Sequence, residues 1–279
     1  MPSFKTQVLR DRIKQQLGRG PYQQVPILAP AWRWVRNRYR WIAYRGEAVY
    51  CPICDRSWRG WLRGQRWGTC PGCGAHARHR WTWLYLKHHG FLDWHGRIIE
   101  FAPNRTLTGL FRRHWPHYLT ADLSDPDADL TINLIDADLP DSAFNLILCC
   151  HVLEHIPDDR AAIREIRRIL DRDGLALIQV PHREHLPTDE QPSLEDPMER
   201  ARRFGQHDHV RRYGYDFIDR LREVFPNVTI EYPQDLFPRD ECERYGLWAI
   251  PMFQCRNRTG DAAAPLAEDR AMSRPFLHS

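Results

Sequence analysis

Residues 144–170 read FNLILCCHVLEHIPDDRAAIREIRRIL, and this stretch decides the fold. It opens with a near-continuous apolar run, which is typical of a strand buried on both faces of a parallel sheet. Further along, apolar side chains recur at Ile163, Ile166 and Ile169, the spacing of an amphipathic helix over residues 158–170. A buried strand followed at once by a helix is the repeating unit of an α/β protein.

The same alternation extends to both sides of this stretch. The further predicted elements are strands at RIIEFA (97–102), HYLTADL (117–123), ADLTINLI (128–135) and GLALIQVP (174–181), and a helix at TLTGLFRRHW (106–115). The sequence therefore predicts an α/β fold with a doubly wound, mostly parallel sheet. Ligands of such sheets bind beyond the carboxyl ends of the strands.

Three of the predicted strands end in polar residues, namely Glu100, Asp122 and His151. Because parallel strands end at one edge of a sheet, these side chains are expected to converge. Together they suit a ligand that carries a ribose and an amino-acid-like ammonium group. The alternative is that each one only caps its strand and pairs with a nearby arginine.

The motif HVLEH (151–155) also fits H-x-x-E-H, the zinc-ligand pattern of one metallopeptidase group. Such a site needs both histidines on one face of a continuous helix. Here the motif leaves a strand directly, and Pro157 limits any helix two residues later. We therefore exclude the peptidase interpretation. Glu154 and His155 either stabilise the turn after the strand or act directly on a substrate or metal.

Two cysteine pairs indicate a metal site near the N-terminal end. Cys51 and Cys54 lie in CPIC, and Cys70 and Cys73 in CPGC. This spacing matches a zinc ribbon, in which four thiolates enclose a structural Zn2+. The alternative is two unrelated pairs of buried thiols. A helix, ARHRWTWLYLKHHG, is predicted to follow the second pair.

Length and composition limit the class of protein. A chain of 279 residues is long enough for one α/β domain and a small module. No apolar run approaches the roughly 20 residues that span a bilayer, and the start, MPSFKTQVLRDRIKQQ, lacks the apolar core of a signal peptide. With eight cysteines and no export signal, we expect a reducing, cytoplasmic setting.

Charge is distributed unevenly along the chain. Residues 1–87 hold 17 Lys and Arg against three acidic residues, a balance of +14, whereas the whole chain carries +4. Residues 31–45, AWRWVRNRYRWIAYR, interleave aromatic and basic side chains. This segment suits an anionic membrane surface, a phosphate backbone with stacked bases, or an amphipathic helix docked on its own domain.

The predicted organisation has four parts. They are a basic amphipathic segment (1–48), the zinc ribbon with its following helix (49–92), the α/β domain (93–258) with an irregular lid or acceptor loop at 181–207, and a flexible tail (259–279). After the lid, the segment RRFGQHDHVRRYGYDF is predicted to start a helix with Asp208 as its N-cap.

Taken together, these segments resemble class I S-adenosylmethionine-dependent methyltransferases, specifically bacterial members with an N-terminal four-cysteine ribbon. The segments that carry the resemblance lie within about residues 45–255. They are CPIC…CPGC, ARHRWTWLYL, IIEFAP, YLTADL, LPDSAFNLILCCHVLEHIPDDRAAIREIRRIL, GLALIQVP, RRFGQHDHVRRYGYDF and RYGLWAIPMF. The resemblance implies a seven-stranded Rossmann-like sheet, with S-adenosyl-L-methionine as the cofactor and Zn2+ in the ribbon.

The resemblance also assigns cofactor contacts, at Glu100, Phe101, Ala102, Pro103, Asp122, Leu123, Asn133, Asp136, Cys150 and His151. Residues 100–103 would cradle the methionine part, and Asp122 would accept hydrogen bonds from both ribose hydroxyls. Asn133 or Asp136 would meet the adenine, and Cys150 and His151 would border the transferable methyl group. The chain departs from the family in having EFAPNRT in place of a G-x-G loop.

Two histidine-rich segments are candidates for handling the methyl acceptor. The candidate catalytic residues are His151, Glu154, His155 and His209. One alternative is that His151, Glu154 and His155, with His207 or His209, hold a second divalent metal that polarises an acceptor hydroxyl.

Three functions follow as hypotheses. The first is methylation of an oxygen of a small molecule or saccharide. The second is methylation of RNA, with the basic ribbon region binding the RNA, as in some ribosomal RNA methyltransferases that carry a zinc ribbon. The third is a non-catalytic binding protein on a methyltransferase scaffold, which the altered loop EFAPN suggests.

Overall fold

The computed structural model describes residues 39–62, 68–247 and 250–258. The flexible tail predicted at 259–279 and all but the last part of the predicted segment 1–48 lie outside these residues. In their described parts, Met1–Arg80 with Glu243–Leu247 form one compact unit, and Trp81–Cys242 with Trp248–Ser279 form a second. The predicted boundary near residue 92 stays a prediction. No described helix is long and apolar enough to cross a membrane.

The first unit is built on a short antiparallel hairpin of β1 (Val49–Cys51) and β2 (Arg56–Trp58). Trp41 meets Trp58 edge to face, with ring centroids 5.9 Å apart, and the Arg56 guanidinium lies 3.9 Å from the Trp41 ring centroid. An aromatic residue from the basic segment thus packs on its own unit. At Trp41, this contact favours the docking alternative.

The remaining elements alternate between helix and strand. In chain order they are α1 (Ala77–His88), β3 (Ile98–Phe101), α2 (Arg105–His114), β4 (Tyr118–Asp122), β5 (Leu130–Thr131), β6 (Phe144–Cys150), α3 (Asp159–Ile169), β7 (Leu170–Gln179), β8 (His182–Arg183), β9 (Asp189–Glu190), α4 (Pro197–Phe204), β10 (Arg211–Gly214), α5 (Phe217–Arg222), β11 (Asn227–Glu231), α6 (Pro233–Leu236), α7 (Arg239–Tyr245) and β12 (Met252–Arg256). Short 3-10 helices cover Phe91–Asp93 and Leu153–His155.

Seven strands form one sheet in the order β11-β12-β7-β6-β3-β4-β5. Strand β12 runs antiparallel to both of its neighbours, and the other pairings are parallel. The predicted seven-stranded, mostly parallel sheet is therefore confirmed. The apolar strand β6 lies in its interior between β7 and β3, as expected for a strand buried on both faces.

Helix α3 covers one face of this sheet. Its side chain Ile163, like Ile166 and Ile169, is fully buried in the main core. The helix begins where the Asp158 carboxylate accepts a hydrogen bond of 2.9 Å from the Ala161 amide. Each buried isoleucine contributes about 1.5–3 kcal/mol to this packing. The quoted stretch thus forms the predicted strand and helix.

Two predicted elements are wrong. The third strand, predicted over 128–135, shrinks to Leu130–Thr131, because the chain turns at Asn133, whose carbonyl accepts from the Asp136 amide. The helix predicted with Asp208 as N-cap instead begins at Phe217, after strand β10.

The segment 181–207, predicted to be irregular, is also ordered. It contains β8, β9 and α4, and strand β10 pairs with both β8 and β9. Glu190 of β9 accepts hydrogen bonds from Arg220 and Arg211, and these lower its pKa to about 2. Ion pairs with later parts of the chain therefore order a segment that has few apolar residues of its own.

Candidate functional site

The four predicted zinc ligands form one cluster in the first unit. The sulfurs of Cys51 and Cys73 are 3.7 Å apart, as are those of Cys54 and Cys70. These distances are too long for disulfides, whose sulfurs lie about 2.05 Å apart. They match the edge, about 3.8 Å, of a tetrahedron with Zn–S bonds of about 2.3 Å. The cluster therefore fits a structural Zn2+.

A glycine turn and a buried arginine lie in the same unit as this cluster. A Cβ on Gly72 would lie 2.6 Å from the Trp58 ring, so only glycine fits this turn of the second cysteine pair. Arg80 is fully buried, and its guanidinium donates to backbone carbonyls that include those of Ala75 and Gly246. A zinc ion with four thiolates carries a net charge of −2, which the buried guanidinium partly offsets.

At the sheet, the predicted cofactor residues line up across one edge. Phe101 pairs with Ala121 of β4 on one side and with Cys149 of β6 on the other. The residues one step further on, Ala102, Asp122 and Cys150, therefore form a row at the carboxyl ends of three adjacent strands. With about 4.8 Å between neighbouring strands, the row is about 10 Å wide.

The backbone at this edge adopts an unusual conformation. Ala102 and His151, which directly follow β3 and β6, have φ angles of 51° and 60°. This left-handed region costs a non-glycine residue roughly 1–2 kcal/mol, and such strain gathers at ligand-binding sites. The EFAPN loop thus makes a left-handed turn without the glycines of the G-x-G pattern.

The loop after β4 holds one of the two carboxylate oxygens of Asp122. The Oδ1 atom accepts hydrogen bonds from the Ser124 and Asp125 amides, at 2.7 and 2.8 Å. These bonds fix the rotamer of the carboxylate. In the part of the chain that the structure describes, Oδ2 of this half-buried residue has no protein donor. Leu123, next to it, is 65% exposed.

The two candidates for the adenine contact, Asn133 and Asp136, lie in one exposed turn after β5. The Asn133 side chain also accepts a hydrogen bond from the Ile135 amide. Both residues therefore remain candidates for this contact.

Glu100 is buried beneath the loop that follows β3. It accepts a hydrogen bond from the Tyr118 hydroxyl and another from the Asn104 backbone. Burial raises the pKa of Glu100 to about 7, although both hydrogen bonds act in the opposite direction. The carboxyl group therefore holds the loop of Ala102 and Pro103, and its direct contact with a cofactor stays a prediction.

We expect Glu100 to make stability depend on pH. Since its folded pKa is raised from 4.5 to about 7, its contribution is fully present below pH 4.5 and is lost as the pH rises through 7. The loss amounts to about 3 kcal/mol. Between pH 4.5 and 8, the free energy of unfolding of Glu100→Gln, measured in urea, should rise by that amount relative to the free energy of unfolding of wild type. Glu184→Gln, at an exposed position, is the control, and a pH-independent difference for Glu100→Gln contradicts the prediction.

The turn after β6 pairs two of the predicted catalytic residues. His151 Nδ1 lies 3.1 Å from Glu154 Oε1. Burial alone would raise the pKa of Glu154, but the His151 hydrogen bond holds it below its usual value. His151 Nε2 and Glu154 Oε2 are buried atoms without a hydrogen-bond partner among the described residues. This turn is not a helix with both histidines on one face, so the exclusion of a peptidase motif is confirmed.

The other two predicted catalytic residues lie side by side. The rings of His155 and His209 meet edge to face, with centroids 4.7 Å apart. Burial lowers the pKa of His209. Glu154, His155 and His209 form one potential metal-binding group. Of the predicted set, this group contains Glu154, His155 and, of the two histidines left open, His209, but it does not contain His151.

Two further residues of this region were not predicted from the sequence. Arg211 is almost fully buried and donates to the backbone carbonyls of Leu153, Ile156 and Pro157. Gln179 is fully buried beside Cys150, and both of its side-chain polar atoms lack a partner among the described residues. A glutamine inside the apolar strand LALIQV was the available signal, whereas nothing distinguished Arg211 from its neighbour Arg212.

Comparison with known proteins identifies a family. A family model described as a methyltransferase domain matches residues 75–231, and no curated protein matches the chain. Among solved structures, a Mesorhizobium loti S-adenosylmethionine-dependent methyltransferase is 15% identical, with a TM-score of 0.43 over 62% of this chain and 96% of that one.

Two further structures are similar. The 1,6-didemethyltoxoflavin N1-methyltransferase of Burkholderia thailandensis is 15% identical, with a TM-score of 0.42 over 65% of this chain and 83% of that one. An Archaeoglobus fulgidus methyltransferase is 10% identical, with a TM-score of 0.43 over 70% and 96%. The family model alone spans more than half of the chain, and the protein therefore belongs to the methyltransferase domain family.

Proposed function

We propose that the protein transfers a methyl group from S-adenosylmethionine to an oxygen of a small molecule or saccharide. The observation that carries the proposal is the row of Ala102, Asp122 and Cys150 across one edge of the sheet. Within this row, loop amides hold one oxygen of Asp122 and leave the other for a ligand. A carboxylate oxygen can accept from both hydroxyls of a ribose.

S-adenosylmethionine, when bound, supplies a methyl group on a sulfonium. In the proposed arrangement Asp122 binds the ribose and the loop of Ala102 and Pro103 lies along the methionine part. Asn133 or Asp136 lies at the adenine. Cys150 and His151 border the methyl group from the adjacent strand end.

The acceptor is proposed to be polar. Gln179 has two buried polar atoms that lack a partner in the described part of the chain, and it lies next to Cys150 on the neighbouring strand. Leaving such atoms without a partner costs about 1–3 kcal/mol each, so a hydrogen-bonding ligand or water is expected there. The amide both donates and accepts, which suits the hydroxyl groups of a saccharide.

His151 is proposed as the general base that takes the acceptor's proton. Because the Glu154 carboxylate only accepts hydrogen bonds, its contact with His151 Nδ1 keeps the ring proton on that nitrogen. Nε2 then carries the lone pair, one residue beyond the end of β6. A base that another group orients is the usual arrangement for activating a hydroxyl.

Replacing Asp122 by Asn tests the cofactor site without releasing its loop. The new Oδ1 still accepts from the Ser124 and Asp125 amides, but a donor replaces Oδ2. Hydrogen bonds to a charged group contribute about 1.5–3 kcal/mol each, so two of them correspond to a loss of affinity of about 100-fold or more. Calorimetric titration with S-adenosylhomocysteine measures this loss.

Asp127→Asn is the control, because Asp127 lies on the same loop but is 71% exposed. This variant should bind S-adenosylhomocysteine as tightly as wild type does. A folded wild-type protein that binds neither S-adenosylmethionine nor S-adenosylhomocysteine would refute the proposed function. Equal binding by the Asp122 and Asp127 variants contradicts the assignment of Asp122.

RNA is the second candidate acceptor, favoured by the balance of +14 over residues 1–87. In contrast, Trp41 packs against Trp58 and Arg56 of the protein's own β2 strand. Transfer of a labelled methyl group to RNA, together with RNA binding that weakens steeply with salt, would favour this candidate. Transfer to saccharides without such binding favours the first. Formation of S-adenosylhomocysteine with any acceptor excludes a non-catalytic protein.

A further inference from the structure

Three side chains from two distant segments converge beside the turn that follows β6. One carboxylate oxygen of Glu154 and one ring nitrogen each of His155 and His209 all lie within 4.8 Å of one another. Ligand atoms around a tetrahedral Zn2+ lie about 3.4 Å apart. For these atoms to share one ion, the longest of their separations would have to shorten by no more than about 1.4 Å.

Within the described residues, each of the three groups has one polar atom held by a hydrogen-bond partner and a second one that no hydrogen bond or ion pair occupies. Glu154 Oε1 is held by His151, whereas the buried Oε2 has no partner among the described residues. Nδ1 of His209 lies 3.2 Å from the Phe204 carbonyl, and Nδ1 of His155 lies 3.2 Å from Oδ2 of Asp208.

These contacts determine which ring nitrogen carries the lone pair. A carbonyl and a carboxylate can only accept, so both contacts keep the proton on Nδ1 of His155 and His209. Nε2 of each ring is then available as a ligand. Metal-binding histidines have this same arrangement, with the second nitrogen donating to a carbonyl or carboxylate that orients the ring.

The backbone around the three groups is held in place. Arg211 donates to the carbonyls of the Leu153–Pro157 turn, and the Val210 amide donates to the Glu154 carbonyl at 3.0 Å. The second contact joins the segment that carries His209 to the turn that carries the other two groups. Such preorganisation allows a metal site to form without refolding.

We propose that Glu154, His155 and His209 bind one divalent transition-metal ion, separate from the zinc ribbon. Two imidazoles and a carboxylate suit Zn2+ or Fe2+ better than Ca2+ or Mg2+, which prefer oxygen ligands. Three protein ligands leave a coordination position open, as in catalytic zinc sites. The metal binds whether or not the protein transfers methyl groups. Its role, which rests on the proposed function, is to polarise the acceptor oxygen that His151 deprotonates.

The test is the number of Zn2+ ions that the full-length protein binds after equilibrium dialysis. Wild type is expected to bind two per chain, one of them lost in Glu154→Gln and in His155→Ala. Glu154→Gln keeps the shape of the side chain and removes its charge. Loss of a ligand should weaken the site by more than the 10- to 100-fold typical of the groups that orient ligands.

His207→Ala is the matched control, since His207 is exposed two residues from His209. It should keep both ions. Asp208→Asn should weaken the second site by about 10-fold, because this substitution alters only the partner of His155.

Binding of S-adenosylhomocysteine is measured on the same samples. If wild type binds S-adenosylhomocysteine but only one Zn2+, the metal proposal is overturned and the proposed function stands. If wild type binds two Zn2+, one of them lost in Glu154→Gln, but no S-adenosylhomocysteine, the metal site stands and the proposed function fails. Equal zinc binding by Glu154→Gln and His207→Ala also overturns the metal proposal.

Discussion

Cys70→Ala is expected to remove the ribbon's zinc and to unfold the first unit. Cys70 is fully buried, and its sulfur lies 3.7 Å from that of Cys54 in the four-thiolate cluster. Structural zinc sites supply about 10 kcal/mol or more of folding free energy, and a module with so small a core depends on that contribution. Loss of one thiolate should therefore leave too little stabilisation for the β1–β2 hairpin.

Zinc content and amide hydrogen exchange measure this result. The variant should hold one Zn2+ fewer per chain than wild type, and amides around β1 and β2 should lose protection while those of β6 keep it. Cys242→Ala is the control, because Cys242 lies outside the cluster and its sulfur lies 3.5 Å from the Phe237 carbonyl. A Cys70→Ala protein with the full zinc content contradicts a four-thiolate site.

Arg211→Ala is expected to destabilise the second unit by about 3–5 kcal/mol, the usual cost of removing one partner from a buried ionic network. The guanidinium is 1% exposed and bonds to Leu153 and Pro157 carbonyls at 3.0 and 2.8 Å. It also bonds to Glu190 at 3.0 Å. Without it, the Pro157 carbonyl loses this donor, the Leu153 carbonyl keeps only the Ile156 amide and the Tyr213 hydroxyl, and Glu190 keeps only Arg220. The turn with Glu154 then loses its support.

Urea unfolding of two matched variants tests this expectation. Arg212→Ala, one position further along β10, should change stability by no more than about 0.5 kcal/mol. Arg211→Lys keeps the charge but not the forked donor geometry, so its loss should be intermediate. If Arg211→Ala and Arg212→Ala unfold at the same urea concentration, Arg211 does not support the turn.

The features that were predicted correctly depend on local patterns. Strand β6 and helix α3 follow from an apolar run and from the spacing of Ile163, Ile166 and Ile169. The cysteine cluster follows from two C-P-x-C pairs, each of which forms its own turn. Such patterns lie within a few residues of one another, so no tertiary contact is needed to interpret them.

The predictions that failed concern segments ordered by distant partners. Few apolar residues and several prolines indicated an irregular loop over 181–207, but Glu190 pairs there with Arg211 and Arg220, more than 20 residues away. The left-handed backbone conformation of Ala102 could not be predicted from the sequence either, because the glycine that is usual at such a position is absent.

The sequence by itself determined the fold class, the strands β3, β4, β6 and β7 of the sheet, the four thiols that cluster, and the placement of Glu100, Asp122 and His151 at or next to the carboxyl ends of their strands. Only the tertiary structure decided which side chains of the histidine-rich segments lie together. His209 joins Glu154 and His155, and His151 pairs with Glu154, because the segment after α4 folds back on the turn after β6. A contact between residues more than 50 positions apart depends on packing and buried ion pairs, which no local periodicity encodes.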